Sequence, residues 1–468
     1  MAWDEVLFSI LDRAQHEAML FAALGILVGG IDDLTIDLLF FARAGWRRLT
    51  VYSRFTPMTT RTLPLAERGG GLAVFIPAWR EADVIGRMLR TTLKRWGAGG
   101  DFRLFVGTYP NDPPTAHVVA NVAAGDDRVI LAINPRPGPT TKADCLNTLW
   151  RAMLAEEAAR GASFKAVVLH DAEDVVHPDS LRLLDRMADR FDLVQLPVLP
   201  LLSQQSLWIA GHYCDEFAES HQKSMAVREA VGAALPSAGV GCAFSRSALA
   251  ALAARQDGQP FDPGSLTEDY EVGLRIVEMG GRTAFVRMKD SHGGLVCTRE
   301  HFPETLDAAV RQKARWMVGI ALAGWDRLGW HGGLAERWMR LRDRRSAMAA
   351  IVLFAAYVAL LLWGLSRVLD LAGIHAQPRL TPFLNALVWI NAFLMLWRLL
   401  MRALFVGRAY GWREAALSVP RTVMANLIAI LSARRAIFLY VRVLRGGPQL
   451  WEKTQHRFPS QQALEGGR

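Results

Sequence analysis

Two stretches without a single charge set the first constraint on this chain: Ala347 to Leu365, 19 residues, and Leu380 to Trp397, 18 residues. A helix needs ~20 apolar residues to cross ~30 Å of hydrocarbon. Within lipid the backbone must satisfy its own hydrogen bonds, so both stretches are expected to be helices. The short connection Ser366 to Arg379 makes them a transmembrane hairpin. A third stretch, Ala18 to Ala42, is long enough to span but carries Asp32, Asp33 and Asp37. Carboxylates in a span are costly and are expected to face other helices, a water-filled path or a partner subunit. The alternative is a span that ends near Ile31 and continues as an interfacial helix. From Leu417 to Tyr440 the chain is again apolar but interrupted by Pro420, Arg421, Asn426, Arg434 and Arg435. An amphipathic interfacial helix is expected there rather than a fourth span.

The net charge of +9 admits nucleic acid, anionic lipid or phosphorylated substrates as partners. Its location favours membrane. Arg43, Arg47, Arg48 and Arg54, then Arg337, Arg340, Arg342, Arg344 and Arg345, then Arg434, Arg435, Arg442 and Arg445 each border an apolar stretch, as expected for the cytoplasmic side of a membrane protein and not for a nucleic-acid binder. Before Ala18 the chain is acidic (Asp4, Glu5, Asp12) and after Ala42 it is basic, which places the N-terminus in the periplasm and the remainder up to the hairpin in the cytoplasm. The first 30 residues lack the positive beginning of a cleavable signal. Four dispersed cysteines without a C-x-x-C pair indicate neither a disulfide framework nor a thiolate zinc site. Four units follow: 1–60, transmembrane and juxtamembrane; 61–330, soluble; 331–415, interfacial helices and hairpin; 416–468, interfacial helix and tail.

Residues 70–330 alternate short β-rich runs with helical patterns, the mark of an α/β domain with a mostly parallel sheet. Strands are expected at Leu72 to Ile76, Phe102 to Val106, Val129 to Ile133, Ala166 to Leu169, Leu193 to Val198 and Thr283 to Met288. In such sheets ligands sit beyond the carboxyl ends of strands. A dinucleotide oxidoreductase is excluded, because no G-x-G-x-x-G joins the first strand to its helix.

Three acidic or basic groups carry chemistry. After the fourth strand come His170, Asp171, Ala172, Glu173 and Asp174, whose carboxylates are hard oxygen ligands for Mg²⁺ or Mn²⁺ shared with substrate phosphates. The plainer reading is a solvated turn. Thr267, Glu268 and Asp269 open a helical pattern; Thr267 suits an N-cap and the acids suit the positive helix end, whereas a functional Asp269 is a general base for an acceptor hydroxyl. Gln312, Lys313, Ala314, Arg315 and Trp316 add a guanidinium for phosphate and a ring to stack on a sugar, or else an interfacial anchor.

In that order the motifs resemble those of the processive family 2 glycosyltransferases, the cellulose and hyaluronan synthases: D-x-D, T-E-D and Q-x-x-R-W ending at a transmembrane hairpin. The bacteriophage adsorption protein B group looks closer still, through Gly30 to Leu34, Gly107 to Asp112, His170 to Asp174 and Trp451 to His456. The resemblance implies a GT-A-type domain and a metal-dependent, inverting glycosyltransferase. Ala78 and Glu81 would lie along the nucleotide, Asp112 near its base or ribose, and Lys142 beside it. Asp171 and Glu173 would take the metal and diphosphate, with Asp174 the alternative second ligand. Asp269 would be the base, with Glu268 beside it; Gln312 and Arg315 would hold the diphosphate and Trp316 the acceptor sugar. Gly241 and Cys242 would lie under the acceptor. The gating loop of cellulose synthase is absent, and Lys453, Thr454 and His456 are the residues that would cover the diphosphate instead.

The resulting expectation is an inner-membrane enzyme moving sugar from a UDP-sugar donor to a growing polysaccharide. A homo-oligomer or an outer-membrane export partner would complete the export path, and no nucleic acid is involved. Its rivals are a non-processive transferase acting on a lipid carrier and a non-enzymatic scaffold in secretion or phage adsorption.

Overall fold

The computed structural model describes residues 2–97, 99–447 and 457–459. The chain opens with one long helix, α1 (Ala2–Thr50). The α/β domain follows as β1 (Leu72–Pro77), α2 (Ile85–Trp96), β2 (Phe102–Thr108), α3 (Pro113–Ala123), β3 (Val129–Ile133), α4 (Lys142–Arg160), β4 (Ala166–Leu169), α5 (Ser180–Met187) and β5 (Leu193–Gln195). It continues with α6 (Ile209–Glu219), α7 (Met225–Ala230), β6 (Cys242–Ser245), α8 (Arg246–Ala253), α9 (Glu268–Glu278), β7 (Thr283–Phe285), α10 (Leu306–Met317) and α11 (Ala323–Leu328). The last helices are α12 (Leu334–Arg344), α13 (Ser346–Leu371), α14 (Pro382–Tyr410) and α15 (Trp412–Leu444).

The sheet has the order β3-β2-β1-β4-β6-β5-β7 and is parallel except at β6, which runs antiparallel to both β4 and β5. Both faces are covered by helices, which is why β1 is apolar along its whole length rather than alternating. The side chains nevertheless divide by the period-2 rule. Leu72, Val74 and Ile76 enter one core layer with Met88 and Leu89 of α2, and Ala73 and Phe75 enter the other with Leu146 and Leu149 of α4.

Two strands are shorter than their sequence suggests. β5 stops at Gln195 rather than Val198 because Pro197 has no N–H to give to a ladder. β7 stops at Phe285 rather than Met288 because its register partner is Gln195, the end of β5. β6 was not expected at all. Its reversed direction puts its start, next to Gly239 and Gly241, at the same edge as the end of β4, where Leu169 pairs with Cys242.

Among the described residues three helices, α1, α13 and α14, are long and apolar enough to cross a membrane. α1 lies between the other two and packs along both. Glycines let the helices approach: a Cβ on Gly25 would meet Val352, and one on Gly30 would meet Leu394. α14 starts at Pro382, two residues after the expected start, with proline at its first position and the Thr381 hydroxyl capping Leu384 N–H. α1 runs as one unbroken helix through Ile31 to Thr50. Its acids face other helices. Asp32 accepts from Trp338 Nε1 at 2.6 Å and pairs with Arg342 and Arg345; Asp33 pairs with Arg342, Arg345 and Arg398; Asp37 pairs with Lys223 and accepts from Trp397 Nε1 at 2.9 Å. α15 contains Pro420, buries Ser418, Arg421, Ala425, Ile428 and Ser432, and packs against α6, α10, α13 and α14.

Candidate active site

The loop after β1 is held by the loop after β2. Ala78 N–H donates to Gly107 O at 2.8 Å, and Glu81 N–H donates to Thr115 Oγ1 at 2.9 Å. Between them Arg80 adopts a left-handed φ of 57°, and its N–H donates to Asp112 Oδ2 at 2.6 Å. The carboxylate of Asp112 thus sustains a strained turn. Ala78, Glu81 and Asp112 are brought together as one buried wall.

After β4 the backbone turns tightly. Asp174 Oδ2 accepts from Asp171 N–H at 3.2 Å and lies 2.6 Å from His170 Nδ1. Burial raises the Asp174 carboxyl above its ordinary value, although His170 opposes the shift. Asp174 therefore faces into the fold, while Asp171 faces out of the turn and meets Lys142 Nζ at 2.6 Å. Lys142 is placed by a capping box at the start of α4, where the Thr141 hydroxyl accepts from Asp144 N–H. Burial works against the ammonium, but Asp171, Glu268 and Asp269 outweigh it and hold Lys142 above its usual range. Glu173 is buried beside them.

Sequence reasoning did not single out Glu300. Burial, then the carboxylates of Asp174, Glu173 and Asp171, push it well above the ordinary carboxylate range. An accumulation of like charge of this kind is what a bound cation relieves, and oxygen donors of this type suit Mg²⁺ or Mn²⁺. Among the described residues no three His, Cys, Asp or Glu side chains converge on one point. A cation held by Asp171 and Glu173 would thus take its remaining ligands from a bound diphosphate.

The second acidic station is built by α9. Thr267 occupies the N-cap position, yet its hydroxyl makes no capping bond; it packs so close to Gly319 that a Cβ there would lie 2.5 Å from Thr267 Oγ1. Gly319 belongs to a π-helical turn, Val318–Leu322, that continues α10. Asp269 Oδ1 accepts from Tyr270 N–H at 2.8 Å, and its Oδ2 lies over Gly239. Gly239 has φ 75°, and a Cβ on it would stand 2.2 Å from that oxygen. Burial and the neighbouring Asp269 push Glu268 up to about 7. Burial also raises Asp269, with Lys142 and Arg315 opposing.

The second station and Lys142 share one cavity of about 670 Å³, lined by Lys142, Glu268, Asp269, Arg315 and Trp316; Asp171, Glu173, Asp174 and Glu300 stand behind Lys142 and are not among its lining residues. Its volume is in the range of a small-molecule site. Among the described residues Arg315 Nε is buried there without an acceptor, and Gln312 Oε1, also on α10, is buried without a donor. Trp316 stands edge-on to Tyr213 at 6.2 Å and Phe302 at 6.5 Å, which fixes its ring. The cavity then continues to Asp33, Arg342, Arg345, Arg398 and Arg402 at the helices α1, α12 and α14, a reach that no motif announced.

Of the expected residues, Ala78, Glu81, Asp112 and Gln312 are not among those that line this cavity, and neither are Gly241 and Cys242. Gly241 has φ 58°, donates its N–H to Leu169 O, and would clash with Thr298 Oγ1 if it bore a Cβ. Cys242 is fully buried in the sheet, its sulfur accepting from the Ser237 hydroxyl at 3.1 Å. Neither side faces the cavity; Ser237 and Ala238 do, just before them. Lys453, Thr454 and His456 lie outside the described residues.

The pattern of glycosyltransferase-like family 2 matches residues 69–319, more than half of the chain. The chain is 38% identical over 463 residues to bacteriophage adsorption protein B of Escherichia coli K12, covering 92% of this chain and 61% of that protein. The same values hold for bacteriophage N4 adsorption protein B of Escherichia coli O157:H7. The chain thus spans less than two thirds of the length of these relatives. Among solved structures, the mannosyltransferase of Pyrobaculum calidifontis in complex with GDP-Man and Mn²⁺ superposes with a TM-score of 0.51 at 15% identity, over 89% of this chain and 99% of that one. At such identity the likeness concerns the GT-A fold. A matched pattern, a sheet of that architecture and acids at the carboxyl ends of its strands agree: the chain belongs to glycosyltransferase-like family 2.

Proposed function

We propose that this protein is an inner-membrane glycosyltransferase that moves a sugar from a UDP-sugar to a growing exopolysaccharide with inversion. The observation that carries the reading is the position of Lys142, bonded to Asp171 from one loop and held charged by Glu268 and Asp269 from another. A carboxylate for a metal-diphosphate, Asp171, and a carboxylate for a proton, Asp269, thus both act on a single cation, Lys142, which lines the cavity with Asp269. Asp269 takes the proton of the acceptor hydroxyl as its oxygen bonds to the anomeric carbon and the bond from that carbon to the diphosphate oxygen breaks. Lys142 and Arg315 donate to the departing diphosphate, and Trp316 supports the acceptor ring. Mg²⁺ or Mn²⁺ on Asp171 and Glu173 supplies further neutralisation of that leaving group.

The membrane reading rests on spacing. Asp12 meets His375 at 3.0 Å and Asp32 meets the α12 arginines, and the 20 residues from one to the other rise about 30 Å, the thickness of the hydrocarbon. The charge pattern then puts the catalytic domain in the cytoplasm and the N-terminus in the periplasm. An outer-membrane component or further copies of the chain would carry the product outward.

The test incubates purified protein and Mg²⁺ or Mn²⁺ with labelled UDP-sugars, and with GDP-mannose as the donor of the solved relative. A polymer ladder with release of UDP is expected. A single-sugar lipid product would replace the polymerising reading by transfer to a lipid carrier, and full activity of Asp269→Asn would remove the catalytic one.

A further inference from the structure

Asp269 is supported at both of its oxygens, and both supports lead to one helix. Its Oδ1 accepts from Tyr270 N–H at 2.8 Å, and its Oδ2 lies over Gly239. The Thr267 side chain gives α9 no cap, so the first turn of this helix takes its position from what grips it. Tyr270 is buried, and its hydroxyl donates to Asp343 Oδ2 of α12 at 2.6 Å. Burial and that carboxylate hold the hydroxyl well above its ordinary value, so it stays a donor. Both oxygens of Asp343 also accept from Arg228 Nη1, at 2.8 and 2.9 Å. Arg228 Nε in turn donates to Ala234 O, and Ala234 N–H donates to Glu336 Oε2 of α12 at 2.7 Å. Ala234, shortly before Gly239, thus has both backbone groups tied to α12. The segment between them lies against α9, where a Cβ on Gly273 would stand 2.6 Å from Leu235 O and 2.8 Å from Ser237 N.

α12 carries these contacts on one side. Glu336, Arg340 and Asp343 follow the i, i+4, i+7 spacing of a helix stripe, and Arg340 adds a bond of 2.8 Å to Glu278 at the far end of α9. Trp338, Arg342 and Arg345 are offset from that stripe by two positions, about 200° around the axis. They bind Asp32 and Asp33 of α1. The helix is therefore bonded to the membrane segment on one side and to both ends of α9 on the other, and a shift of α12 would carry the T-E-D turn with it.

We infer that Asp343 is a positioning residue for Asp269: through the Tyr270 hydroxyl it holds the first turn of α9, and with it the Asp269 carboxylate, against Gly239 and in line with the acceptor hydroxyl. The inference deepens the functional reading above and rests on Asp269 being the base. Asp343 takes no proton from the substrate; it acts through Tyr270. Both residues also line the cavity, so the rival role is a direct contact with the acceptor.

The experiment measures nucleotide release by the full chain in nanodiscs with labelled UDP-sugars and GDP-mannose, and UDP binding by calorimetry on the same preparations. Tyr270→Phe is expected to lower turnover about tenfold at unchanged donor KM, the effect of a displaced proton acceptor. UDP stoichiometry stays at the wild-type value, whereas a merely structural loss would lower turnover and stoichiometry together and overturn the inference. Asp343→Ala is expected to match Tyr270→Phe, and Asp343→Asn, whose carbonyl oxygen still accepts from the hydroxyl, to recover most of the rate. An Asn variant as slow as the Ala variant would assign the loss to the Arg228 pair and overturn the route through Tyr270. In the Asp269→Asn background Tyr270→Phe should cost nothing further, because no base is left to misplace; a second loss of the same size there would assign the ring to the acceptor instead. Wild-type turnover in Tyr270→Phe overturns the inference and, with Asp269→Asn inactive, leaves the catalytic reading standing. Full turnover in Asp269→Asn removes that reading and this inference with it. Should Asp343→Ala not fold, Tyr270→Phe, which removes a single hydroxyl, decides alone.

Discussion

At the sheet edge Lys142 and Arg315 stand against Asp171, Glu268 and Asp269, with Glu173, Asp174 and Glu300 close behind. At the other end of the same cavity Asp32, Asp33 and Asp37 of α1 each meet at least one cation. The sheet-edge cluster carries a standing excess of carboxylate, which raises their affinity for protons and cations. That is a liability for stability and an asset for chemistry, since a general base near neutrality and a metal-diphosphate site both need it. The membrane-end cluster uses its charge to dock α1 against α12, α14 and Lys223, which lies between α6 and α7. One cavity thus separates reactivity from assembly.

The sharpest way to break this division is Asp269→Asn. The amide keeps the shape and the Tyr270 N–H contact but takes no proton, so sugar transfer is expected to fall about 10²- to 10⁴-fold while the melting temperature stays or rises. Radiolabel incorporation and thermal unfolding, measured on the same preparation, decide it. A comparable loss of stability would move Asp269 to the assembly side.

The opposite result is expected at Lys223. Its ammonium and the Asp37 carboxylate are both buried, and Lys223→Met leaves Asp37 with only the Trp397 indole. The expected destabilisation is about 3 kcal/mol, and the double replacement with Asp37→Leu should recover most of it, because the cost comes from an unpaired buried charge. Denaturant midpoints in mild detergent measure both.

Gly239→Ala tests where the two roles meet. The left-handed φ of 75° costs an L-residue about 1–2 kcal/mol, and the added Cβ must displace Asp269 Oδ2, 2.2 Å away. A roughly tenfold loss of turnover is expected, the effect of moving a proton acceptor off its line, with a smaller fall in the unfolding midpoint. Turnover unaffected by this substitution would mean that Asp269 acts from a different position.

The parallel part of the sheet was legible because its strands are continuous apolar runs ended by Pro77 or by acids, as at Leu169. Asp269 and Lys142 were legible from their motifs, and the α1 acids from the cost of burying them. β6 was not, since four residues carry no alternation and its reversed direction is settled only by β4 and β5 closing around it. That reversal also explains Gly241 and Cys242: residues that the motif order puts under an acceptor are turned into the sheet by the strand they begin. Glu300 has no motif. It matters through neighbours distant in sequence, the turn after β4, and periodicity along a chain does not report them.

The smallest effect expected is also the most specific to the carboxylate excess. Glu268 has an ordinary value of 4.5 and is pushed up to about 7 in the folded chain, so between those values the folded state binds more protons than the unfolded one. Stability from this group is therefore fully present below about pH 4.5 and is lost as pH rises through about 7. Glu268→Gln removes the difference between the states and should flatten that part of the stability profile, without touching the fall caused by other groups at the extremes. Sugar transfer runs the other way: the carboxylate pair works when ionised, so turnover should rise with pH across the same interval. If the stability slope survives Glu268→Gln unchanged, the raised proton affinity belongs to Asp269 or Glu300, and the excess charge at the sheet edge is centred closer to the metal ligands than to the T-E-D turn.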